Sequence, residues 1–240
     1  MEYYLGGYYL FRLVELPYGS FEGRRVYTCS SYINESYYDS WALPWTGDGE
    51  GLCEADIAHL QPDGEHLPQL QEWVDARFNE ERMGWQSVFA DMPTLHEYRR
   101  FFFPDSPAVA LGVAFPEGER KALLEALKPA GEMSGEVGLY QNLKAARLDA
   151  EGEGEVLGFD IIGVDVAWEC FSFHTHDLAP ELQERFGLTV NAYGLLEDNE
   201  HWDAIMAYMN DRTNRFESVP WFYVRVKRMA EWPGGEARSL

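Results

Sequence analysis

The sequence predicts an α+β protein, with a mixed, largely antiparallel sheet flanked by helices in a single globular unit. Three observations carry this expectation. Aromatic residues make up 15% and hydrophobic residues 46% of the 240-residue chain, far more than an acidic disordered chain holds, so a sizeable core is expected. Short β-branched and aromatic runs recur along the chain, and segments with apolar residues at three- and four-residue spacing fall between them. Tight two-residue hairpin signals are fewer than strands, which leaves helices to make many of the connections.

Tyr3 to Val14 is aromatic and aliphatic, and Gly6-Gly7 bends it as a strand or hairpin. Arg25 to Ser30 reads as a second short strand. The long loop from Ser31 to Leu52 carries Tyr32, Tyr37, Tyr38, Trp41 and Trp45, and so much aromatic surface predicts an ordered contact loop. Leu67, Leu70, Trp73, Val74 and Phe78 recur at helical spacing, which predicts an amphipathic helix over 67–81. A strand near Trp85 to Phe89 follows, then a helix opened by Thr94 with Glu97 three residues on, a capping-box pattern that Pro104 ends. Ala108 to Phe115 is a strand, and Glu117 to Lys128 a helix that turns Leu123, Leu124 and Leu127 inward.

Pro129 to Gly138 is the best candidate subdivision of the 1–232 unit, with Glu151 to Glu155 a second that reads as an exposed hairpin tip or mobile loop. Val156 to Val166 and Trp168 to Phe173 are expected strands, and Pro180 to Phe186 a short helix stopped by Gly187. Asp198 to Asn210 should form a helix with Trp202, Ile205, Met206 and Met209 on one side, before a closing strand from Trp221 to Met229. Residues 233–240 read as a flexible tail, and no internal repeat is evident.

The formal net charge of −22 is concentrated. Val26 to Ala76 holds ten carboxylates and no Lys or Arg, and Leu148 to Asp211 holds fifteen against the single Arg185. Such a field repels nucleic acid, anionic lipid and anionic substrates, and draws in cations and basic proteins. No stretch is apolar for long enough to span a membrane, and the start lacks a basic region followed by an apolar run, so a cytoplasmic location is expected. Cys29, Cys53 and Cys170 are odd in number and lack CxxC spacing, which fits reduced, buried thiols.

Catalytic patterns are sparse. No GxSxG elbow and no GxxxxGK[ST] phosphate loop occurs. The most enzyme-like run is Cys170-Phe-Ser-Phe-His174-Thr-His176-Asp177. As a strand, period-two alternation would put Cys170, His174 and His176 on one face, where they could ligate zinc with Asp177 as a further ligand in a metal-dependent hydrolase. The plainer expectation packs the phenylalanines and leaves Asp177 to cap the next helix, with no cofactor. Glu197, Asp198 and Glu200 offer hard oxygens but match no EF-hand loop, and negative charge at a helix start explains them more simply. Arg225-Val-Lys227-Arg228 reads as a short basic strand end that blunts a sheet edge.

The remaining candidate is a binding surface. Trp41 and Trp45 lie inside the first base-free block beside Asp48 and Glu50, so rigid apolar anchors sit among carboxylates. In its acidic, aromatic-rich composition and lack of catalytic motifs the chain resembles, in general character, the immunity proteins that bacteria use against their own polymorphic or contact-dependent toxins. The resemblance implies a non-enzymatic protein that covers a basic protein partner with complementary charge, using Trp41, Trp45, Asp48, Glu50, Glu197, Asp198 and Glu200. A nucleic-acid mimic that captures a DNA-binding protein is the third expectation.

Overall fold

The computed structural model describes residues 1–11, 13–30, 67–84, 88–102, 108–128, 138–149, 153–164, 170–213 and 216–230. In chain order its elements begin with β1 (Tyr3–Phe11), β2 (Val14–Glu15), β3 (Arg25–Val26), α1 (Leu67–Asn79), β4 (Met83–Gly84), β5 (Val88–Phe89), α2 (Met92–Phe102) and β6 (Val109–Pro116). They continue with α3 (Glu117–Ala126), α4 (Leu139–Lys144), β7 (Glu155–Val164), β8 (Cys170–Ser172), α5 (Ala179–Phe186), α6 (Trp202–Met209) and β9 (Trp221–Arg228). Seven strands form one sheet in the order β4-β5-β1-β6-β9-β7-β8, every neighbouring pair is antiparallel, and β2 and β3 make a separate small hairpin. The α+β class expected from the sequence is what the chain adopts.

Period-two alternation gives the sheet two buried faces. One carries Tyr8 and Leu10 against Val74, Leu95 and Tyr98 of α1 and α2. Phe159, Ile161 and Tyr223 belong with Leu182, Trp202 and Ile205 of α5 and α6. Tyr9, Phe11, Val113 and Val226 instead meet Leu123 of α3 and Leu139 and Leu143 of α4.

The register shows that the sheet is built twice. A bulge in β1 places Leu5 opposite Ala114 and Gly7 opposite Val113, and one in β7 places Val156 opposite Lys227 and Gly158 opposite Val226. Val113 and Val226 are themselves partners at the centre of the sheet, so a local two-fold relates β1-β6 to β7-β9 about that pair. The correspondence extends outward. Tyr8 pairs with Phe89, which pairs with Met83; Phe159 pairs with Leu196, which pairs with Val190. Each of these hairpins follows one helix and precedes another, α1 and α2 in the first half, α5 and α6 in the second. Both bulges are held by an amide, Asn142 Nδ2 to the Gly6 carbonyl at 2.9 Å and Asn191 Nδ2 to the Leu157 carbonyl at 2.7 Å. The expectation of no internal repeat is therefore corrected: the duplication lies in pairing geometry, and little residue identity survives to reveal it.

Other local expectations change for identifiable reasons. Thr94 does not open α2; Asp91 does, accepting the Thr94 backbone N–H at 2.9 Å and its hydroxyl at 2.8 Å, while Glu97 turns to Arg77 at 3.1 Å. The basic run of β9 does not blunt an edge, because β9 lies between β6 and β7. Lys227 is instead buried, 2.9 Å from Asp149, and Arg225 joins the same carboxylate. Helix α4 was not expected. The aromatic loop with Trp41, Trp45, Asp48 and Glu50, the strand position of Trp85, most of the 129–138 segment and the 233–240 tail lie outside the described residues.

Candidate functional site

The zinc expectation required residues 170–177 to continue as a strand. β8 ends at Ser172, and the chain turns from 173 to 177, with Asp177 in the left-handed region at φ 51°. Alternation stops there, and the three described side chains separate. His174 is buried with its two ring nitrogens engaged by Ser172 Oγ at 2.8 Å and the Gly194 carbonyl at 2.7 Å. His176 pairs with Glu217. Asp177 accepts the Ser20 backbone N–H at 3.0 Å and its hydroxyl, so it ties the Gly19–Phe21 turn to the second half and does not cap α5. The side chain of Cys170 lies outside the described residues. Among the described residues no group of three or more His, Cys, Asp or Glu is placed to hold a metal.

The second acidic block does assemble a surface. Trp202, at the start of α6, stacks on Tyr223 of β9 with ring centroids 4.4 Å apart and planes 2° from parallel. Tyr3 of β1 adjoins the same aromatic group through Phe159, at 6.5 Å. Asp198 accepts the Trp202 indole N–H at 3.0 Å, which draws its carboxylate to the stack. Glu119, from the first turn of α3, accepts the Tyr223 backbone N–H at 3.3 Å. Asp203 stands in the first turn of α6, where the helix dipole favours negative charge. Among the described residues none of these three carboxylates pairs with a cation. The nearby Arg225 lies 3.7 Å over the Tyr3 ring and gives its charge to Asp149.

Burial, with nearby negative charge adding to it, shifts two titrating groups here. Burial, with Asp203 adding to it, pushes Glu119 up to about 7 against the pull of the Tyr223 N–H. Burial, the Tyr3 ring hydroxyl and the Glu119, Asp203 and Asp198 charges all push the Tyr223 hydroxyl far above the ordinary tyrosine range. A raised carboxyl favours the folded state most below its unfolded pKa, and that contribution is lost as pH rises through about 7. Glu119→Gln is thus expected to gain roughly 3 kcal/mol on the parent protein between pH 4.5 and 8, read from denaturant midpoints. Equal pH profiles for the two proteins would remove Glu119 from the site.

Of the residues expected from sequence, the structure brings Asp198 to this surface. Glu197 turns to the Thr189 hydroxyl at 2.6 Å, and Glu200 stays exposed, 3.7 Å from His201. Glu119, Asp203, Tyr3 and Tyr223 escaped sequence reasoning because they come from four elements, three of them outside the 197–200 cluster by a wide margin in sequence. A second depression, of about 400 Å³, is lined by His176, Leu178, Glu181, Arg185, Tyr208 and Phe216. Glu181 engages two of its polar groups, taking the Tyr208 hydroxyl and Arg185 Nε at 3.1 Å, and burial together with Glu181 pushes Tyr208 up to about 12.

No protein-family model, no curated protein and no solved structure matches the chain.

Proposed function

We propose that this protein is a non-enzymatic binder that captures a basic protein partner through the acidic face around Trp202 and Tyr223, and so neutralises or regulates it in the manner of immunity proteins. The observation that carries this reading is the contrast between the two halves of the sheet. Corresponding stretches hold six acidic and four basic residues over 67–103, but seven acidic and one basic over 174–210. Asp91 and Asp198 both precede the helix that follows their hairpin, yet Asp91 is matched by Arg82 at 3.2 Å and Asp198 by no cation among the described residues. The 67–103 stretch is an internal control: the same helix-hairpin-helix unit forms with four basic residues among its acids, so the near absence of bases from 174–210 is not required by that unit. The rings are buried beneath this face and fix the position of Asp198, so the exposed Asp198 and Asp203 carboxylates make the acidic field that steers a cationic surface.

The test is salt-dependent retention. Immobilised protein should hold a basic partner from its native cytosol and release it as salt is raised, because exposed charges are screened within about 10 Å at 0.1 M. The double variant Asp198→Lys, Asp203→Lys should lose at least tenfold in affinity for the retained protein, whereas Glu80→Lys in the first half should leave binding unchanged. Equal losses in both variants would reduce the effect to net charge and defeat the site. Competition by duplex DNA would instead reveal a nucleic-acid mimic.

A further inference from the structure

Asp160, Ser172 and His174 form a buried row of polar atoms that the acidic face does not use. All three are fully excluded from solvent. Asp160 Oδ1 lies 2.8 Å from Ser172 Oγ, Oγ lies 2.8 Å from His174 Nδ1, and His174 Nε2 lies 2.7 Å from the Gly194 carbonyl. The other Asp160 oxygen accepts the Cys29 backbone N–H at 2.8 Å, and Ser172 Oγ also accepts the His174 backbone N–H at 3.2 Å. The row therefore fastens Cys29 to β7 and β8.

Its protons can be counted from the heavy atoms. A carbonyl oxygen only accepts, so His174 Nε2 carries a proton. Two short contacts remain, Oδ1 to Oγ and Oγ to Nδ1, and each requires one proton between its atoms. Ser172 supplies one. The second belongs to Asp160 as a carboxylic acid or to His174 as an imidazolium.

The surroundings decide. Of the groups packed about the row, Arg24 acts on His174 and opposes a second positive charge there. Burial raises Asp160 and outweighs the Cys29 N–H and thiol, the Ser172 hydroxyl and the Ile161 N–H, which favour its carboxylate but include no cation. Thr175 and Ser30 add a hydroxyl pair at 3.0 Å beside the row. We propose that Asp160 is held as a neutral carboxylic acid that donates to Ser172, which donates in turn to a neutral His174, so that Asp160 and His174 titrate as one unit carrying one proton. Burial acts in the same sense on both groups, pushing Asp160 up to about 6 and His174 down to about 3.

The consequence is a seam that tolerates acid. The raised Asp160 stabilises the folded state fully below its unfolded pKa, about 3.9, and loses that contribution as pH rises through about 6. The lowered His174 contributes fully above its unfolded pKa, about 6.5, and loses it as pH falls toward about 3. Between about pH 4 and pH 6 the two offset, because the folded row and the unfolded chain each hold one proton, on Asp160 in the first and on the imidazole in the second.

Asp160→Asn tests this, since its amide donates permanently to Ser172 while its carbonyl still accepts from Cys29. With the acid gone, the uncompensated His174 should make the variant acid-sensitive. The ratio of folding constants, parent to variant, should rise about fiftyfold between pH 7 and pH 4 in urea unfolding. Other titrating groups are common to both proteins and cancel. Parallel profiles would overturn the proposal. A second measurement needs no variant: in ¹⁵N NMR of the parent protein at pH 5, His174 should be neutral with its proton on Nε2, and an imidazolium signal would place the proton on the wrong partner.

Discussion

Replacing Asp149 by alanine is expected to cost about 3–5 kcal/mol, because it strands a buried ammonium. The Lys227 side chain is 3% exposed and that of Asp149 6%, and the carboxylate joins Lys227 Nζ at 2.9 Å and the Arg225 guanidinium at once. The Asp149 backbone N–H also donates to the Tyr3 carbonyl at 2.8 Å, so the pair sits where the segment after α4 crosses β1. Removing Asp149 alone strands both cations, whereas removing Lys227 with it leaves only Arg225, whose side chain is less deeply buried than that of Lys227. Asp149→Ala with Lys227→Met should therefore recover most of the loss, an outcome readable from urea midpoints. A double variant no more stable than Asp149→Ala would show that lost packing, and not the stranded charge, sets the cost.

Alanine at either bulge glycine should cost about 2–4 kcal/mol, from backbone strain and forced contacts together. Gly7 has φ 150° and Gly158 φ 148°, a region that residues with a Cβ rarely adopt. An added Cβ would come within 2.5 Å of Val88 Cγ1 at Gly7 and within 2.8 Å of the Leu196 carbonyl at Gly158. The two sites are related by the local two-fold, so their losses should be alike. Gly118 is the control: it lies in the first turn of α3 with nothing within 4 Å of an added Cβ, and Gly118→Ala should be neutral or stabilising by up to about 1 kcal/mol. A large loss at one bulge and none at the other would contradict the equivalence of the halves.

Local patterning made the long elements legible. The four residues placed on the inner side of the helix after Asp198 are the four that α6 buries, and the stop at Gly187 is the observed left-handed cap. Such features depend on neighbours three or four residues apart. Strand order depends on partners that the sequence does not juxtapose, and Lys227 shows the result: a basic residue that reads as an edge guard is, in the centre of the sheet, the partner of a distant aspartate. The 170–177 run failed for a related reason. Its alternation is genuine as far as Ser172, but a turn follows, and spacing alone carries no sign of where hydrogen bonding to β7 ends. At the acidic face only Asp198 was legible, because Glu119, Asp203 and Tyr223 acquire meaning by proximity.

The pairing of Val113 with Val226 also governs the order in which the molecule can come into being. β6 is complete at Pro116 and β9 does not begin until Trp221, so a nascent chain carries β6 as an open edge while about a hundred further residues are made, roughly 5–20 s of synthesis. In the finished sheet that strand is central and covered on both sides. On the ribosome it is an apolar strand with one unfilled row of amides and carbonyls, open to pairing with other chains until β9 arrives.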